Sequence, residues 1–105
     1  MRLSIVVPTW NEATEIAATL RALQPLRARG HEVVLADGGS TDATVALSAP
    51  WVDRVIVGAR GRATQQNAGA AAASGDVLLF LHADTRLPED ADGEVIGGLE
   101  RSGRG

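Results

Sequence analysis

Arg62-Ala63-Thr64-Gln65-Gln66-Asn67-Ala68-Gly69-Ala70-Ala71-Ala72-Ala73-Ser74-Gly75 runs directly into Asp76-Val77-Leu78-Leu79-Phe80-Leu81 and then into His82-Ala83-Asp84-Thr85. The first part is rich in Ala and Gln, lacks Pro and ends at Gly75, which predicts a helix closed by a glycine C-cap. The short apolar run that follows predicts a buried strand. His82, Ala83, Asp84 and Thr85 then fall at the carboxyl end of that strand, where open α/β sheets bind their ligands.

The same alternation extends outward from this stretch. Leu3-Ser4-Ile5-Val6-Val7 predicts a buried parallel strand that stops at Pro8, which has no N–H to give a ladder. Asn11 is expected to cap the next helix, with Glu12 and Glu15 in its first turn and Ile16, Leu20 and Leu23 as its apolar stripe. Pro25 should end that helix near Gln24 or kink it. Glu32 to Ala36 reads as a second strand, and Asp37-Gly38-Gly39-Ser40-Thr41-Asp42 as a loop whose polar residues cap a short helix from Ala43 to Ser48. Arg54 to Val57 reads as a third strand, and Glu89 to Arg101 as a weak helix interrupted by Gly93, Gly97 and Gly98. Strands alternating with helices at this spacing predict βαβ units and a Rossmann-like parallel sheet flanked by helices. Ser102 to Gly105 reads as frayed or cut.

Composition narrows the function. A chain of 105 residues is one domain, residues 1–105, and short for a complete enzyme of most α/β families. With no Cys there is neither a disulfide framework nor a thiolate metal site, and the cytoplasm is the expected compartment. A net charge of -3 offers no broad cationic field, which argues against a nucleic-acid partner. Every basic residue is Arg, so a lysine Schiff base and a P-loop lysine are excluded. No apolar run approaches the roughly 20 residues of a membrane span.

Polar side chains from four stretches should meet at the strand ends: Thr9, Trp10, Asn11 and Glu12; Asp37 to Asp42; Arg60 and Arg62; and His82 to Thr85. Carboxylates can hold a divalent cation, arginines can pair with phosphate oxygens, and an aromatic ring can hold a base. Together they suit a nucleoside diphosphate with a hard cation. Gln66 and Asn67 stand one turn beyond Arg62 and would line the same side. Each residue also has a plainer use. Asn11 and Glu12 can serve a helix start, Asp37 and Asp42 an Asx turn, Trp10 a rim, and His82 one strand-end hydrogen bond.

At these residues the chain resembles the nucleotide-binding half of family 2 glycosyltransferases of the GT-A fold. Val7-Pro8-Thr9-Trp10-Asn11-Glu12 matches the family's Pro-x-x-Asn-Glu opening, and Asp37-Gly38-Gly39-Ser40-Thr41-Asp42 is similar to its Asp-Asp-Gly-Ser-Thr-Asp loop. Arg62, Asn67, Gly69, Gly75 and Asp76 fit the helix that leads to the metal strand. The resemblance implies that Asp84 takes the last place of the Asp-x-Asp motif, holding Mn²⁺ or Mg²⁺ against the diphosphate. His82 takes the first place, toward ribose or metal, and Ala83 stands between them. It further implies a donor site of Pro8, Thr9, Trp10, Asn11, Glu12, Asp37, Ser40, Arg62, Gln66, Asn67, His82, Ala83 and Asp84, with a nucleotide-diphosphate sugar as the donor substrate. The acceptor could be a glycan, a lipid or a small molecule.

The sequence departs from the family at Gly38, where the second Asp of the loop is usual, and at His82. No catalytic residue is assigned within the chain, because the family's general base lies beyond the Asp-x-Asp strand. The 105 residues are therefore expected to bind nucleotide weakly and to transfer sugar poorly or not at all. A non-catalytic nucleotide-binding or interaction module of the same fold is the alternative. A sugar-phosphate nucleotidyltransferase or a dinucleotide dehydrogenase would need a Gly-rich turn after the first strand, where this chain has Pro8-Thr9-Trp10-Asn11-Glu12.

Overall fold

The structure, a computed structural model, describes residues 1–101, so the expectation for Ser102 to Gly105 lies outside the described residues. In chain order the elements are β1 (Leu3–Thr9), α1 (Ile16–Ala22), α2 (Gln24–Ala28), β2 (Glu32–Asp37) and α3 (Thr44–Ser48). A 3₁₀ turn (Ala49–Trp51), β3 (Arg54–Val57), α4 (Arg62–Ala72), β4 (Val77–Phe80) and α5 (Ala91–Arg101) follow. The four strands form one parallel sheet in the order β3-β2-β1-β4. This is the Rossmann-like parallel sheet flanked by helices expected from the alternation of elements.

β1 and β2 are central and covered on both faces, which is why their apolar residues run on without alternating. On one face Ile5, Val7, Val33 and Leu35 pack against Ile16, Leu20, Leu23 and Leu26 of the α1–α2 region, forming the larger core. On the other, Val6, Val34 and Ala36 form a thinner layer beneath α4. There a Cβ on Gly69 would lie 2.3 Å from Val6 Cγ1, so the helix sits on the sheet only because residue 69 has no side chain.

Several expectations need correction. β1 does not stop at Pro8 but continues to Thr9, with Pro8 in register with Ala36. Thr9 O accepts the N–H of Gly38 on the β2 side, so Pro8 faces the β4 side, where β4 has ended and no donor is needed. The first helix begins at Ile16, not near Asn11, with Glu15 rather than Asn11 at its cap position. Pro25 breaks the helix, and α2 restarts with the proline in its first turn, where a missing N–H costs nothing. Gly75 is not a left-handed cap. A Cβ there would lie 2.6 Å from Ser4 Oγ and 2.9 Å from Arg2 O, so it serves close approach to β1. β4 is an edge strand and not fully buried, because α4 lies over the other three strands and leaves Leu78 and Phe80 exposed.

Two polar clusters tie the sheet at its amino end. Glu32 is buried, accepting from Ser4 Oγ, Ser74 N–H and Oγ, and Arg54. His31 is a core residue with definite partners: Nδ1 accepts the Leu3 N–H at 3.0 Å and Nε2 faces Asp92 at 2.9 Å. Trp51 packs on the larger core with Arg21 over its ring.

Candidate functional site

At the carboxyl end of the sheet a cavity of about 220 Å³ is lined by Pro8, Thr9, Trp10 and Glu12 from the end of β1 and the segment after it. Arg62, Gln65 and Gln66 contribute from the start of α4, and Phe80, Leu81 and His82 from the end of β4. Of the residues singled out in the sequence, Pro8, Thr9, Trp10, Glu12, Arg62, Gln66 and His82 thus share one wall. Asn11, Asp37, Ser40, Asn67, Ala83 and Asp84 are not among the lining residues.

The Asp37 to Asp42 loop braces the site from behind. Asp37 is buried, and both of its carboxylate oxygens are engaged within the loop. Oδ1 accepts from the Thr9 and Ser40 hydroxyls, and Oδ2 from the N–H groups of Gly39 and Ser40. Gly39 adopts φ 87°, which turns these successive N–H groups onto one oxygen. Burial works to raise the pKa of Asp37, but the bonds from Ser40, Thr9 and Gly39 outweigh it and hold the carboxyl below its ordinary value.

Asn11 does not cap its own helix. It takes the left-handed conformation, φ 52°, and its Oδ1 reaches across to accept from Thr41 N–H at 2.8 Å and Asp42 N–H at 3.3 Å. Its own N–H donates to Ser40 Oγ, and the N–H of Glu12 donates to Thr44 Oγ1. The segment after β1 is therefore stitched to the segment after β2, which sets where Trp10 and Glu12 stand. Asp42 is bound by the Thr44 N–H and hydroxyl, so its turn-and-cap use is the one observed.

Gln65, which the sequence reading passed over in favour of Gln66, is the central polar residue of the site. It is buried, its Nε2 donates to Thr9 O at 2.7 Å and Ala36 O at 2.9 Å, and its Oε1 accepts the Gly61 N–H. Its position three residues after Arg62 was the available signal. Arg60 and Arg86 are both engaged. Arg60 lies with Cζ 3.5 Å from the centroid of Trp10, and Arg86 bonds the Thr19 hydroxyl and pairs with Glu15.

Asp84 is exposed beyond the cavity, on the turn closed by the Thr85 N–H to His82 O bond. His82 is exposed on the same turn, while Ala83 is buried with its carbonyl bound by the Thr19 hydroxyl. Among the described residues no group of three or more His, Cys, Asp and Glu side chains could hold a metal by itself. One carboxylate and one imidazole suit a cation that draws its remaining ligands from phosphate and water. Among the described residues neither Arg60 nor Arg62 has a carboxylate partner. No helix of the described residues is long and apolar enough to cross a membrane.

Proteins similar to this chain include several glycosyltransferases. A PGL/p-HBAD biosynthesis glycosyltransferase of Mycobacterium bovis is 38% identical over 93 residues, covering 82% of this chain and 36% of that protein. A mannosyltransferase from Pyrobaculum calidifontis, solved with GDP-Man and Mn²⁺, superposes with a TM-score of 0.83 at 26% identity, covering 93% of this chain and 32% of that one. Glucosyl-3-phosphoglycerate synthase from Mycobacterium tuberculosis, solved with Mn²⁺, UDP and glucosyl-3-phosphoglycerate, superposes with a TM-score of 0.80 at 25% identity, covering 93% and 39%. The chain thus spans about a third of the length of these relatives. The family described as Glycosyl transferase family 2 matches residues 4–105, and with the sheet order and the strand-end cavity in agreement, the chain belongs to glycosyl transferase family 2.

Proposed function

We propose that this chain is the donor-binding part of a glycosyltransferase and takes a nucleotide-diphosphate sugar in the cavity at the carboxyl ends of β1 and β4. One observation carries the reading. Trp10, Glu12, Arg62, Gln66 and His82, drawn from three separate strand-end segments, line a single cavity. Trp10 and Glu12 stand on the nucleoside side. Arg62, with no carboxylate to neutralise it among the described residues, offers bidentate donors to diphosphate oxygens, and Gln66 lines the same wall. Asp37 and Ser40 act by shaping the loop that holds the β1 exit in place, with Asn11 as the cross-strut.

Asp84 and His82 are the residues that would hold Mn²⁺ or Mg²⁺, which when bound neutralises charge on the leaving diphosphate. Arg62 adds positive charge toward the same group and is aimed by its place in the first turn of α4. Removing the acceptor's proton requires a carboxylate base that none of these residues is assigned to be. We assign the chain to the donor half of the reaction, and its span of about a third of the length of these relatives supports that assignment. The sugar and the acceptor belong to the protein as a whole.

The test is a thermal shift with UDP, GDP, CDP and dTDP, each with and without Mn²⁺. A metal-dependent rise in Tm is expected with at least one of them, and its loss in Asp84→Ala. No metal-dependent rise with any of the four would overturn the reading.

A further inference from the structure

Resting on the donor-nucleotide reading, we propose that Arg60, whose guanidinium carbon stands over the ring of Trp10, selects the nucleobase. It would favour bases with a carbonyl at the pyrimidine 4 or purine 6 position (uracil, guanine) over those with an amino group there (cytosine, adenine).

The argument begins at Gly38. A Cβ on residue 38 would lie 2.8 Å from Gln65 Oε1, 2.9 Å from Gln65 Cδ and 3.0 Å from the Cα of Arg60. Gln65 cannot swing aside, because its amide is bound by Thr9 O, Ala36 O and the Gly61 N–H. Arg60 cannot yield by a rotamer change either, since the crowding atom is its backbone. The exit of β2 therefore carries no side chain at this point. Its neighbour Asp37 has both carboxylate oxygens occupied by four hydrogen bonds, three from Gly39 and Ser40 of the loop and one from Thr9 of β1. The carboxylate of Asp37 thus has no free lone pair to accept from a base's amino group, and Asp42 is bound by Thr44 and by the Ala13 N–H.

What stands beside the cavity instead is a guanidinium. Arg60 Cζ is 3.5 Å from the centroid of Trp10, and Trp10 lines the cavity. The contact with Trp10 sets where the guanidinium stands, while its five N–H groups have no hydrogen-bond partner among the described residues. A guanidinium only donates. A carbonyl edge can accept from it, whereas an exocyclic amino group would set N–H against N–H. One good hydrogen-bonded pair of this kind discriminates between bases by about tenfold or more. Glu12 is the other charged group on the nucleoside side that could read a base, and it would favour the opposite, donor-bearing edge.

Isothermal titration of the full 105-residue chain in saturating Mn²⁺, with UDP, GDP, CDP and ADP as ligands and inorganic pyrophosphate as the phosphate-only probe, tests this. UDP or GDP should bind about tenfold or more tighter than CDP and ADP. In Arg60→Gln, whose amide both donates and accepts, that gap should shrink to about threefold or less, while pyrophosphate affinity stays unchanged. Arg60→Lys, which keeps the charge and loses the fork, should also lose the gap. Circular dichroism checks that both variants fold, as expected of an exposed loop residue. A gap that persists in Arg60→Gln shows that Arg60 does not read the base and overturns the proposal. A parallel fall in pyrophosphate binding assigns Arg60 to the diphosphate and also overturns it. Wild type that binds all four nucleotides alike sinks this inference alone, whereas wild type that binds none sinks the donor-nucleotide reading with it.

Discussion

The Nε2 of His31 lies 2.9 Å from Oδ2 of Asp92, and this contact, at the end of the sheet opposite the cavity, ties α5 to β1 and β2. Because His31 Nδ1 already accepts the Leu3 N–H, the ring's proton is on Nε2 and is donated to the carboxylate. Arg29 adds two more bonds to the same carboxylate. Asp92→Ala leaves the buried His31 N–H without an acceptor and should lower Tm by about 5–10 °C. Metal-dependent nucleotide binding, read by calorimetry below the new Tm, should be unchanged. A loss of binding at unchanged Tm would show that this cluster is not the structural anchor described.

Glu32 sets an acid limit on stability. Burial alone would raise its pKa, but the hydrogen bonds from Ser4, Ser74 and Arg54 prevail and bring it down to about 2. A carboxylate whose pKa is lowered by folding stabilises the fold fully above its ordinary value near 4.5 and loses that contribution as pH falls toward 2. Urea midpoints should therefore drop between pH 4.5 and pH 2, and the slope should flatten in Glu32→Gln. Asp92, whose carboxyl is held low by Arg29 and His31 against its own burial, steepens the same acid limb. An equal slope in wild type and Glu32→Gln would refute the assignment to Glu32.

Replacing Gly by Ala should have opposite signs in two helices. In α4, Gly69→Ala gains about 1 kcal/mol of helix propensity, but its Cβ would meet Val6 Cγ1 at 2.3 Å. Val6 is β-branched and sits in a central strand, so it cannot rotate away cheaply, and overpacking of this kind costs about 1–3 kcal/mol. Net destabilisation is expected. In α5 a Cβ on Gly93 meets nothing within 4 Å, so Gly93→Ala should stabilise by roughly 0.5–1 kcal/mol. Chemical denaturation of the two variants decides, and a stabilised Gly69→Ala would contradict the packing.

Gln65→Glu changes almost no volume but turns a donor toward Thr9 O and Ala36 O into an acceptor. Leaving those contacts unmade should cost about 2–3 kcal/mol at neutral pH. The loss should ease in acid, when the carboxylic acid can again donate one bond. A pH-independent loss in urea denaturation, measured against wild type, would show that the hydrogen-bond network is not its source.

The four strands and the helices α1, α3, α4 and α5 were legible in the sequence, because apolar periodicity and the positions of Pro and Gly are local signals, whereas the restart of the chain as α2 after Pro25 was not. Leu3 to Val7, Glu32 to Ala36 and Arg54 to Val57 declare strands by themselves, and their alternation with helices implies a parallel sheet. The placement of Trp10, Arg62 and His82 at strand ends followed directly. What the tertiary structure alone decided were contacts between segments far apart in the chain. Asn11, a good helix cap by type, serves a loop 30 residues away, and Gln65 bridges to Thr9 across 56 residues. Gly38 looked like a missing Asp, but it is the position that Gln65 and the Arg60 backbone leave no room to fill. Local pattern carries the hydrogen-bonding period of one segment, whereas steric exclusion and donor–acceptor pairing depend on which segments fold together, and that is set only when the sheet is assembled.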